Sequence, residues 1–90
     1  MERLPWEELE RMVAEAKVHI PPGSRWRHYK GGDYVVVDIS IIELTDALAV
    51  VYRSMDHPTF TFIRPLVEWQ DGKEYNGVKA FRFRRIDGTA

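Results

Sequence analysis

Arg25-Trp26-Arg27-His28-Tyr29-Lys30-Gly31-Gly32-Asp33-Tyr34-Val35-Val36-Val37-Asp38-Ile39 is the stretch that decides the fold. A basic and aromatic run enters a Gly-Gly-Asp turn signal, and the β-branched residues after it are strong strand formers. The pattern predicts a β-hairpin, because glycine supplies the positive φ that a tight reversal needs. Further strands follow at Leu48–Arg53, Thr59–Arg64 and Lys79–Arg84, with breaks at Glu43–Asp46 and Met55–Pro58. In Thr59–Arg64 the residues alternate, so Phe60 and Phe62 share a face, and Pro65 ends the run or places it at an edge. Leu66–Trp69 reads as a short helical turn, and Asp71-Gly72-Lys73 and Asn76-Gly77 read as turns. In Lys79–Arg84, Phe81 and Phe83 are expected inward and Arg82 and Arg84 outward.

These runs make a mainly β chain of about five short antiparallel strands, and closing such a sheet into a small barrel or roll protects its edges. Parallel pairing is not expected, since no connection after residue 25 can hold a crossover helix. Pro21-Pro22-Gly23-Ser24 is the one internal boundary. It separates residues 1–24, an amphipathic helix and linker, from residues 25–90, the β-domain. Trp6, Leu9, Val13, Ala16 and Ile20, with Met12 beside them, recur at helical spacing and predict a helix over about residues 5–18. Pro5 suits its first turn, Glu7 and Glu8 favour the positive end of its dipole, and Glu7 is expected to pair with Arg11. Such a short helix is marginal alone and must dock. It either covers its own sheet or presents Trp6, Leu9 and Val13 to a protein partner or a second copy.

Composition bounds the function. The 90 residues carry 13 basic and 14 acidic side chains, a net charge of −1, which argues against gripping a polyanion by bulk charge. Cysteine is absent, which excludes disulfides, thiolate metal sites and Cys nucleophiles and is compatible with a reducing compartment. No apolar run approaches a membrane span, and the N-terminus is acidic and amphipathic, so a cytoplasmic protein with no membrane partner is expected. Charge is nonetheless uneven: Arg25–Lys30 and Lys79–Arg85 together hold seven basic residues and no acid. If the first and last strands meet, they form a basic face with Tyr29 or Trp26 as a stacking platform for RNA or a nucleotide. A solvated charged face opposite inward Phe is the plainer reading of the same alternation.

Other chemistries have less in their favour. His28, Tyr29 and Lys30 could serve acid–base catalysis, but no spaced nucleophile or carboxylate accompanies them. His19, His28 and His57 are too scattered for a local metal motif, and no cofactor motif is present. No helix follows Gly31-Gly32 to make it a phosphate loop, so it is a turn. Trp26 and Trp69 are expected in the core.

Arg27-His28-Tyr29-Lys30-Gly31-Gly32-x-Tyr34, then Val50-Val51-Tyr52-Arg53, then Arg64-Pro65 and Arg82-Phe83 resemble a small bacterial family, domain of unknown function 1653. The resemblance covers about two-thirds of the chain and implies an SH3-like β-barrel or roll; it implies no activity. The family pattern carries a His and a Glu where this chain has Ile41–Asp46, and a Trp where it has Phe62. A site built on those polar residues is altered or absent here. The expected function is a non-enzymatic binding module whose face of Arg27, His28, Tyr29, Lys30, Tyr52, Arg64 and Arg82 takes an anionic ligand such as RNA or a nucleotide. A peptide-recognising or self-associating module is the alternative, and an enzyme comes third.

Overall fold

The computed structural model describes residues 4–75 and 77–88; Asn76 and the side chains of Lys73 and Lys79, all named above, lie outside the described residues. Helix α1 spans Trp6–His19, with Pro5 in extended conformation at its N-cap. Its apolar stripe docks as the spacing requires: Leu9, Ala16 and Ile20 are buried, and Met12 and Val13 pack against the core. Lys17 reaches across to Asp38 at 3.3 Å. Trp6 departs from the stripe and is 73% exposed. Arg11 pairs with Glu8 and Glu15, one turn away on either side, rather than with Glu7.

The strands are β1 (Arg25–His28), β2 (Asp33–Ile42), β3 (Ala47–Ser54), β4 (Thr61–Pro65), β5 (Gly72–Tyr75), β6 (Val78–Phe81) and β7 (Phe83–Arg85), with helical turn α2 (Leu66–Trp69) after β4. Every pairing is antiparallel. One sheet has the order β4-β3-β2-β1-β7, and β5-β6 form a separate hairpin. The protein is thus mainly β, a five-stranded antiparallel sheet with an N-terminal helix. First and last strands do meet, β1 pairing β7 through Trp26↔Arg85, Arg27↔Arg84 and His28↔Phe83. The ladder runs open from β4 to β7 among the described residues.

Two local devices shape the sheet. Gly31 and Gly32, at φ 100° and 91°, turn β1 into β2, as the Gly-Gly signal required. A β-bulge between Val36 and Asp38 adds a residue to β2 and resets its alternation, so Val36 and Ile39, three apart, both face the core. The linker adds to the sheet, Gly23 N–H donating to the Val36 carbonyl and Val36 N–H to that of Ser24. Leu48, Val50 and Tyr52 of β3 meet Trp69 of α2, Phe83 of β7, Ala16 of α1 and Ile20 at its C-cap in one cluster. Trp69 stacks on Phe83 at 3.8 Å and meets Trp26 edge-on at 5.6 Å.

Two expectations are corrected. Gly72 opens β5 rather than making a turn, so Asp71-Gly72-Lys73 leads into a hairpin closed at Gly77, φ 78°. The run Lys79–Arg84 is not one alternating strand: Arg82 is a bend between β6 and β7, which leaves Phe81 68% exposed while Phe83 is 3% exposed. The break arises because Arg82 turns its backbone away from the strand, its N–H donating to the Asp71 carbonyl and its carbonyl accepting from Tyr29 N–H.

Candidate functional site

The end of the sheet where β1 turns into β2 collects the basic and aromatic residues. Alternation along β1 puts His28 on the core-facing side and Arg27 on the opposite one. The His28 ring lies edge-on to Phe83 at 5.0 Å and beside the Tyr29 ring at 4.7 Å. Tyr29 reaches the same side because β1 has ended and the turn has begun, so the two rings meet although the residues are adjacent. The Lys30 ammonium sits 5.7 Å from the centre of the Tyr29 ring. Arg64, opposite Val50 in the ladder, sends its guanidinium over Phe83 at 5.9 Å and toward Glu68 at 3.4 Å. Arg82 donates from Nε to the Glu68 carbonyl at 3.0 Å and lies 3.7 Å from the Asp71 carboxylate.

These positions set the electrostatics of His28. Its Nδ1 accepts a hydrogen bond from the Lys30 N–H at 3.1 Å, which fixes the neutral ring with its proton on Nε2. Burial first, and then the charges of Arg64, Arg82 and Lys30, hold its pKa below the ordinary histidine value. A neutral N–H donor among cations can bind an anion but makes a poor acid–base pair without a carboxylate. Among the described residues no group of three His, Cys, Asp or Glu side chains could hold a metal ion.

A cavity of about 480 Å³ opens here, lined by Arg27, His28, Tyr29, Phe81 and Arg84, within the range of small-ligand sites. Arg27 is bonded to Asp33 by two contacts, 2.7 and 3.1 Å. Those bonds and the nearby Arg84 hold the Asp33 carboxyl below its usual range. Of the seven residues named from the sequence, His28, Tyr29, Lys30, Arg64 and Arg82 gather at one end. Arg27 and its cross-strand partner Arg84 line the cavity from the other face, while Lys30, Arg64 and Arg82 stand outside its lining. Tyr52 is buried among Tyr34, Phe62, Trp69 and Phe83 and supports the site from below. Sequence reasoning missed Glu68 and Asp71, which position the two arginines, and Phe81, which lines the cavity. The four-residue spacing of Arg64 and Glu68 was a signal for one of them.

The protein-family model for a protein of unknown function, DUF1653, matches residues 24–85. The chain belongs to the DUF1653 family. The matched segment begins at Ser24, where the linker joins the sheet, and ends at Arg85, the last residue of β7, so it contains the whole β-structure and leaves α1 outside. A crystal structure of a DUF1653 protein from Bordetella bronchiseptica is similar in fold, with a TM-score of 0.64 and 24% identity, covering 76% of this chain and 90% of that one. No curated protein matches the chain. Among the described residues, no helix of this DUF1653 protein is long and apolar enough to cross a membrane.

Proposed function

We propose that this protein is a non-enzymatic binding module whose basic, aromatic end takes a phosphate-bearing ligand, RNA or a nucleotide. One observation carries the reading: Arg64, Arg82 and Lys30, from three separate segments, converge on a neutral His28 beside a cavity with Tyr29 and Phe81 in its lining. Cations supply phosphate contact, the His28 Nε2–H a further donor, and the aromatic faces a surface on which a base can stack. The cations focus on one point rather than lining a track, which favours one or a few phosphates over a long backbone.

The test is salt dependence of binding to a short single-stranded RNA and to a nucleoside monophosphate. Three phosphate contacts give a slope of log K against log salt of about −2 for the RNA, so raising salt from about 50 to about 200 mM weakens binding about twenty-fold. Lys30→Ala, at an exposed position, is expected to reduce that slope by about 0.7. Absence of binding to both probes, or binding indifferent to salt, overturns the reading.

A further inference from the structure

The two edges of the five-stranded sheet are guarded very differently. At one edge β7 is three residues long and carries Arg84 and Arg85, two of the usual protections against strand addition. At the other, β4 is Thr61-Phe62-Ile63-Arg64-Pro65. Its single charge is turned inward, to Phe83 and Glu68. Ile63 is 66% exposed, and Phe62 next to it and Phe60 before the strand are exposed as well.

Pro65 stands opposite Ala49 in the β3–β4 ladder. Proline has no N–H to donate and is tolerated where that group would point away from the sheet. Backbone polar groups alternate sides along an antiparallel strand, so Ile63 and Thr61, in phase with Pro65, turn their N–H and C=O groups to the open edge. An edge of this kind matches a second copy of itself. A two-fold axis through Ile63 pairs the two Ile63 residues through both of their N–H···O=C bonds and lets each Thr61 N–H donate to the other chain's Pro65 carbonyl. The same register lays the exposed Phe62 ring on the aliphatic stem of the other copy's Arg64. A net charge of −1 offers little repulsion between copies.

We propose that β4 is a homodimerisation edge, two copies joining their sheets antiparallel about Ile63. The contact is short, as in small transient interfaces, so the dimer is weak and is sought at roughly 10 µM to 1 mM protein, the micromolar-to-millimolar end of the affinity scale. Sedimentation velocity of the full chain over that range should show the average mass rising toward twice the monomer's. In NMR spectra recorded at the same concentrations, the Thr61 and Ile63 amides should shift and become protected from exchange, a readout that needs no variant. Ile63→Lys, checked for folding by circular dichroism, should remain monomeric, while Trp6→Ser should dimerise as the parent does. A monomer at every concentration, a dimer that survives Ile63→Lys, or concentration-dependent shifts confined to α1 overturns the proposal. Arg64 belongs to both the β4 edge and the basic cluster, but every readout here is made without a phosphate ligand, so failure of the dimer and failure of phosphate binding are told apart.

Discussion

Trp69 is 1% exposed and anchors α2 beneath the basic cluster, and its buried indole N–H has no hydrogen-bond partner among the described residues. An unmade hydrogen bond on a buried donor costs about 1–3 kcal/mol. Trp69→Phe removes that donor together with two ring carbons. The carbons, at about 0.8 kcal/mol for each buried methylene-sized group, withdraw about 1.6 kcal/mol of apolar burial. The two effects oppose each other, and the variant is expected within about 1.5 kcal/mol of the parent in urea unfolding at constant m. Trp69→Ala relieves the same donor but abandons the stack on Phe83 and the edge contacts to Trp26 and Tyr52; it is expected to cost about 3–5 kcal/mol. The contrast between the two substitutions is the point. If Trp69→Phe loses as much as Trp69→Ala, the N–H is satisfied in solution and the reasoning fails. Because Glu68 holds Arg64 by its carboxylate and Arg82 by its carbonyl, Trp69→Ala should also loosen the cations, whereas Trp69→Phe should leave them in place.

Other consequences can be measured on the same protein. The His28 pKa is depressed in the folded chain from its ordinary 6.5, so the unfolded chain takes up the proton first. Stability contributed by the neutral ring is full above about pH 6.5 and is lost as pH falls from there to the folded value; His28→Gln should flatten that part of a stability–pH curve, and an unchanged curve refutes the assignment. Leu9→Ala should cost about 2–5 kcal/mol and Trp6→Ala less than about 0.5 kcal/mol in urea melts, because Leu9 is buried and Trp6 is not; equal losses would mean that α1 docks by another face. Gly31→Ala meets open space at φ 100°, so its expected cost of about 1–2 kcal/mol is backbone strain alone, and a neutral result would show that the turn relaxes to negative φ.

Much of this architecture could be read from local chemistry. Strand runs, the Gly31-Gly32 reversal, the amphipathic helix and the helical turn before Trp69 each follow from residues close together in the chain. What could not be read follows from pairing. The bulge at Val37 is invisible in a run of β-branched residues, because nothing in Tyr34–Ile39 marks which valine is the extra one; only the partner strand decides. Arg82 looks like the outward member of an alternating strand, yet bonds to Asp71, Glu68 and Tyr29, all distant in sequence, bend the chain there. Phe81 is exposed for the same reason.

That bend also explains why the site was only half legible. Basic residues on the first and last strands announced a face, and β1 does pair β7. Membership of the site, however, is settled by phase. Alternation sends Arg27 to Asp33 on the far side of the sheet, while the interruption at Arg82 lets its guanidinium turn inward toward Glu68 and Asp71, where an unbroken β6–β7 strand would have pointed it at solvent. An irregularity in the strand therefore moves a cation from a solvated face to a half-buried one. There, with Arg64 and Lys30, it acts on His28 through a less polar medium than water, in which the same charge has a larger effect.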